Sequence, residues 1–205
     1  LLFATGTLAA APPAGVRRGG RAAEVELGCS VRLVSWNIER GERLPAVEAA
    51  LDRMAPALAL LQEVDVNAHR SGRADVAEVL ARRLKLNYLF AAEFEELGQG
   101  SSARPAFHGQ AVLANWPVAE ARVIYFKQQS THWQPRWFMP DWAVFQRRLG
   151  GRLALVVNFG RLVVYNVHLE SRASEEMRRS QIEEVISDAR RYPATTPIVV
   201  AGDMN

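Results

Sequence analysis

The sequence predicts an α/β fold in which two sheets pack face to face with helices outside. Three observations carry this. Strand and helix patterns alternate from Val31 to Ala92. Five strand-like runs, several joined by short turns, fill Gln110 to Val167. A helix and one apolar strand then close the chain.

Taken in order, Val31 to Ile38 reads as a strand. Leu44, Val47, Leu51 and Met54 recur at helical spacing, with Pro45 in the first turn and Pro56 as the stop. Leu58 to Gln62 is a continuous apolar run, as in a strand covered on both faces. Val76, Val79, Leu80 and Leu84 mark a second helix, and Tyr88 to Ala92 a third strand. Further strands are expected at Gln110 to Ala114, Arg122 to Phe126, Trp142 to Arg148, Leu153 to Asn158 and Leu162 to Val167. Asn158-Phe159-Gly160-Arg161 is a hairpin-type link. Ser174 reads as an N-cap with Glu175 and Glu176 in the first turn. Ile182, Val185, Ile186 and Ala189 form the expected buried stripe, and Ile198 to Ala201 the last strand.

The composition is that of an ordinary globular chain: 205 residues, 49% hydrophobic and 23% charged. A net charge of +3, with only Lys85 and Lys127 as lysines, does not favour long nucleic acid. Arginine, which supplies the rest of the basic charge, suits phosphate through its planar donor fork. Cys29 stands alone, so no internal disulfide forms. No apolar run reaches membrane-span length. Residues 1–29 read as a disordered leader, with Pro12 to Gly28 as a linker, and residues 30–205 as the domain. The leader reading suits a cytoplasmic chain. A clipped export signal over residues 1–12 is the alternative. No obligate protein partner is evident.

Four apolar runs end alike. VRLVSW leads into Asn37, Ile38 and Glu39; LALLQ into Glu63; LVVYNV into His168; and IVVAG into Asp203 and Asn205. Side-by-side strands would gather these groups on one rim, and sites in open α/β sheets lie beyond strand carboxyl ends. Carboxylates with amide oxygens suit a hard cation such as Mg²⁺. One histidine without a thiolate is a poor zinc set. A hard cation beside a histidine suits phosphate ester chemistry. Singly, each residue also has a plain reading: Asn37 as a turn cap, Glu63 as a solvated strand end, His168 as a core histidine, Asp203 and Asn205 as an Asx-turn. Their conjunction favours a site.

The stretches S35-W36-N37-I38-E39, L61-Q62-E63-V64, G109-Q110-A111-V112-L113, N166-V167-H168-L169 and G202-D203-M204-N205 resemble, in order and spacing, the endonuclease/exonuclease/phosphatase superfamily with its DNase I-like fold. The resemblance covers about Val31 to Asn205. It implies a four-layer α-β-β-α sandwich and hydrolysis of phosphoesters with Mg²⁺, for which Mn²⁺ can substitute. By motif, Glu63 is the principal metal ligand, Asn37 a metal or phosphate contact and Glu39 a weaker acidic partner. The same resemblance implies that His168 contacts the scissile phosphate, that Asp203 orients or deprotonates the attacking water, and that Asn205 positions the phosphate. The substrate class spans nucleic acid, phospholipid headgroups and inositol phosphates. A non-catalytic binding module of the same fold is the further alternative.

The family's later Asp and Ser-Asp-His motifs are not found here, and His69, His108 and His132 all precede the G-D-x-N strand. The expectation is therefore a domain incomplete at its C-terminus and weakly active or inactive alone. THWQPRWFMPDW, from Thr131 to Trp142, offers Trp133 and Arg136 as substrate contacts. A loop folded over a sheet edge explains it equally. Arg147, Arg148 and Arg152 are expected near the rim, with at least one on a solvated face. Asp65 and His69 to Gly72 read either as substrate contacts or as a turn.

Overall fold

The computed structural model describes residues 15–130 and 144–205. Within them the chain forms two mixed sheets and three α-helices. The first sheet contains β1 (Arg17–Gly19), β2 (Leu33–Asn37), β3 (Leu58–Val66), β4 (Asn87–Glu96), β5 (Phe107–Ala114) and β7 (Arg148–Gly150). Its order is β1-β4-β5-β3-β2, with β7 also paired to β4. The second contains β6 (Glu120–Tyr125), β8 (Leu153–Asn158), β9 (Val163–His168) and β10 (Ile198–Asp203), in the order β10-β9-β8-β6. Two pairs are parallel, β2 with β3 and β9 with β10; the other pairs are antiparallel.

Strand alternation divides the apolar residues into three packed layers. Leu58, Leu60, Leu89 and Val112 of the first sheet meet Leu153, Leu155, Val157 and Val164 of the second. The opposite face of the first sheet packs Ala59, Leu61, Phe90 and Leu113 beneath α1 (Leu44–Met54) and α2 (Val76–Leu84). The outer face of the second packs Val156, Tyr165 and Val167 beneath α3 (Glu175–Ala189). This is the four-layer α-β-β-α sandwich the sequence resemblance implies.

The helix ends follow local chemistry. Asp75 accepts from the Glu78 amide at the start of α2 (3.2 Å), and Ser174 from the Met177 amide at the start of α3 (3.3 Å). The β8–β9 turn places Gly160 at φ 79°, where glycine carries no Cβ penalty.

Four expectations change. The third helix's stripe is Ile182, Val185 and Ala189; Ile186, one position on from Val185, turns about 100° away and is 44% exposed. The run read as a strand from Trp142 to Arg148 pairs only from Arg148, because Val144 and Phe145 form a turn; Trp142 lies outside the described residues. The linker stretch contains β1, which pairs antiparallel with β4. Arg17 fastens it, bonding Asp75 and lying over the Tyr88 and Phe90 rings (5.2 and 5.1 Å). Finally, β3 does not end at Glu63 but continues to Val66.

Candidate active site

The carboxyl ends of β2, β9 and β10 meet at one end of the sandwich. Asp203 pairs in register with His168 across the parallel β9–β10 ladder. Gly202 makes that ladder possible: at φ 149°, a Cβ there would stand 1.9 Å from the Val167 carbonyl oxygen. Asn37, from the other sheet, donates through Nδ2 to Asp203 Oδ2 at 2.8 Å. Its Oδ1 accepts from the Glu39 amide at 3.1 Å. Asn205 donates its backbone N–H to Asp203 Oδ1 at 3.0 Å and its side chain to the Leu169 carbonyl at 2.8 Å. His168 Nε2 lies 3.8 Å from Asp203 Oδ2. Partial burial would raise the Asp203 pKa. The donors Asn37 and Asn205, with the nearby His168 and Arg152, outweigh it and hold the carboxyl below its usual value.

Glu63 follows Gln62, the register partner of Asn37, and its orientation is set by a different device. Between Leu61 and Val64 the β3–β5 register shifts, three steps on β3 matching two on β5. This is a β-bulge, which re-aims a side chain that strict alternation would fix. Glu63 sits at φ 53°, an unusual value for a residue with a Cβ. Glu39, Arg40 and Asn205 share the left-handed region, at φ 47°, 67° and 53°. Such costs, about 1–3 kcal/mol each, concentrate at functional sites. Asn166 stabilises the bulge from the second sheet. It donates to the Leu61 and Ala111 carbonyls, both at 3.0 Å, and accepts from Gln62 Nε2 at 2.6 Å.

A second bulge was not legible in the sequence. Between Ala92 and Phe94 the β4–β5 register also shifts, and the extra residue is Glu93, 1% exposed. Arg152 NH1 donates to Glu93 Oε2 at 3.1 Å and to His168 Nδ1 at 2.8 Å. Gln110 Nε2 donates to Glu93 Oε1 at 2.9 Å. Burial pushes the Glu93 pKa up, but the Arg152 charge above all holds it down at about 2. A guanidinium only donates, so Nδ1 of neutral His168 is an acceptor and its proton resides on Nε2, the nitrogen nearer Asp203. The one signal for Glu93 was a carboxylate between buried apolar neighbours, which requires a partner.

The predicted site residues thus fall into groups. Asn37, His168, Asp203 and Asn205 are linked directly. Glu63 follows Gln62, the register partner of Asn37. Its carboxylate is half-buried, with Arg40 Nε at 3.7 Å. Glu39 is tied to Asn37 only through its backbone, and its side chain is exposed. Arg148 pairs with Glu96 at 2.7 Å, and Arg147 is exposed. Trp133 and Arg136 lie outside the described residues. Asp65 is fully buried against Arg70 and His108 and offers nothing to a substrate, while His69–Ser71 forms a short 3₁₀ turn.

Among the described residues no three His, Cys, Asp or Glu side chains gather into a metal cage. The hard oxygen donors at these strand ends are the Glu63 and Asp203 carboxylates and the Asn37 amide oxygen, which also accepts from the Glu39 amide. That set fits a Mg²⁺-class cation that keeps most of its water.

A model of the Endonuclease/Exonuclease/phosphatase family matches residues 34–205. No curated protein sequence matches significantly. Among solved structures, the endonuclease/exonuclease/phosphatase from Beutenbergia cavernae DSM 12333 superposes with TM-score 0.58 at 21% identity, covering 85% of this chain and 47% of that one. The human Nocturnin catalytic domain with a bound sulfate anion gives TM-score 0.60 at 18% identity, covering 88% and 67%. D. rerio TDP2 complexed with a single-strand DNA product gives 0.53 at 19%, covering 87% and 62%. The chain thus spans about half the length of the first of these, at 47%.

Proposed function

Because the chain belongs to the Endonuclease/Exonuclease/phosphatase family, we propose that this rim hydrolyses a phosphoester by in-line attack of water, with Mg²⁺ or Mn²⁺ as cofactor. The observation that carries the reading is the Asn37–Asp203 hydrogen bond with His168 Nε2 alongside. It brings an ionised carboxylate, an amide and an imidazole N–H together at the junction of two sheets.

Glu63, with the Asn37 amide oxygen, would hold the cation, which would screen the phosphate charge and polarise its oxygens. Asp203 orients the attacking water and accepts its proton as the new O–P bond forms and the P–O bond to the leaving group opposite it breaks; the leaving alkoxide takes its proton from solvent. Two N–H donors keep that carboxylate ionised and fixed. His168 donates its Nε2 proton to a nonbridging oxygen, where negative charge grows in the transition state. Arg152 holds the imidazole in that tautomer, and Glu93 holds Arg152. Asn205 positions the phosphate with the amide hydrogen that Leu169 leaves unused.

The substrate is a phosphodiester or phosphomonoester. Specificity resides in loops rather than in the shared fold. The weak net charge of +3 favours a phospholipid headgroup or inositol phosphate over a long nucleic acid. Turnover of bis(p-nitrophenyl) phosphate with Mg²⁺ and with EDTA tests the reading. Asp203→Asn and His168→Gln are each expected to lose ~10²–10⁴ of the rate. Weak turnover by these 205 residues alone is the expected result; variants whose metal-dependent turnover equals that of wild type would support the binding-module alternative.

A further inference from the structure

The two bulges lie on either side of the same short stretch of β5. On the β3 side, Gln110 is the single residue between the register pairs Leu61–Ala111 and Val64–Gly109. On the β4 side, Glu93 is inserted between Ala92–Gly109 and Phe94–His108. Gln110 is fully buried. Its Nε2 donates to the Leu153 carbonyl of the second sheet at 2.8 Å and to Glu93 Oε1 at 2.9 Å. Both partners only accept, so the amide has one orientation: turned over, its oxygen would face two oxygens.

Leu153 opens β8 and is the residue after Arg152. Arg152 NH1 donates to Glu93 Oε2 at 3.1 Å. Gln110 therefore ties the Glu93 carboxylate to the strand start beside its guanidinium partner. The Gly151 amide adds a backbone tie, donating to the Glu93 carbonyl at 2.9 Å. With one oxygen on Gln110 and the other on Arg152, the carboxylate is held in one rotation.

That rotation matters because two groups of opposite character face Nδ1 of His168. Arg152 NH1 donates to it at 2.8 Å, while Glu93 Oε2, 3.6 Å away, only accepts. The first partner places the imidazole proton on Nε2; the second would draw it to Nδ1. On the far side of the ring Asp203 Oδ2 is 3.8 Å from Nε2, beyond hydrogen-bond reach. The tautomer therefore turns on whether Arg152 stays between His168 and Glu93.

We propose that Gln110 is a positioning residue: through Glu93 and Arg152 it holds the His168 proton on Nε2, the nitrogen that faces the rim. The proposal deepens the hydrolytic reading and rests on it for its meaning in turnover. The state of the imidazole can be measured without turnover, so the two fail separately.

The test is nitrogen NMR of His168 in metal-free protein, at a pH where the ring is neutral, with thermal melts alongside. Gln110→Met keeps the length of the side chain and removes both bonds. Its Glu93 is expected to turn onto Nδ1, raising the share of the Nδ1-protonated tautomer relative to Nε2 at least about tenfold over wild type, the scale of one hydrogen bond to a charged group. Gln110→Asn keeps the amide but is a methylene too short to span both partners, and should shift the ratio the same way. A glutamine that only supports the fold would lower Tm and leave the tautomer where it is. A folded variant of either kind with the wild-type ratio would overturn the proposal. So would a wild-type proton on Nδ1, for which no variant is needed.

Discussion

Asn37 Nδ2 donates to Asp203 Oδ2 at 2.8 Å, joining residues 166 positions apart and two different sheets. The bond fixes the carboxylate and closes the rim between β2 and β10. Asn37→Ala removes the donor and frees Asp203 to rotate. Its kcat on bis(p-nitrophenyl) phosphate is expected to fall ~10²–10³-fold, the usual cost of losing one positioned donor. An unchanged kcat would remove Asn37 from the chemistry.

Glu93 gives a prediction about acid stability. Its folded pKa is about 2, below the ordinary 4.5. Its contribution is therefore fully present above pH 4.5 and is lost as pH falls through about 2. Glu93→Gln is expected to cost about 3 kcal/mol at neutral pH, because Arg152 is left buried without its charge partner. The loss should shrink steadily below pH 4.5, towards about 2. Urea unfolding at a series of pH values measures it. A penalty constant across that range would show that the Glu93 charge does not matter.

Gly202 is predicted to tolerate no side chain. The Cβ of Gly202→Ala would stand 1.9 Å from the Val167 carbonyl oxygen, on a backbone at φ 149°. A loss of at least about 2 kcal/mol is expected from strain alone, with β10 pushed off β9 and Asp203 displaced. Thermal melts of the variant decide it. An unchanged Tm would mean that β10 does not run this close.

The His168 tautomer can be read directly. With Arg152 donating to Nδ1, nitrogen NMR of the neutral imidazole should show the proton on Nε2. A proton on Nδ1, directed at Glu93 Oε2 3.6 Å away, would contradict the arrangement.

Much of this was legible in the sequence because it is local. Helical spacing from Leu44 to Met54, the Ser174 cap and the Gly160 turn each rest on residues a few positions apart. Asn37, His168, Asp203 and Asn205 were legible because strands deliver them at their ends. Glu93 was not, because a β-bulge adds a residue without a turn signal, and its partner Arg152 comes from a distant loop. The same device carried β3 past Glu63, where an uninterrupted apolar run had suggested a strand end. Ile186 misled because two adjacent apolar residues cannot both centre on one helix face.

The direct test of a single metal-dependent centre is a Mn²⁺ titration followed by NMR on wild type and Glu63→Gln. In wild type, the backbone and side-chain amide signals of Asn37, Glu63, Asp203 and Asn205 should broaden first and together. In Glu63→Gln the same broadening should require at least about tenfold more Mn²⁺, the consequence of losing the one carboxylate ligand. Broadening that begins elsewhere on the chain, or that is identical in the two proteins, would contradict the assignment of Glu63 and of the rim as the metal site.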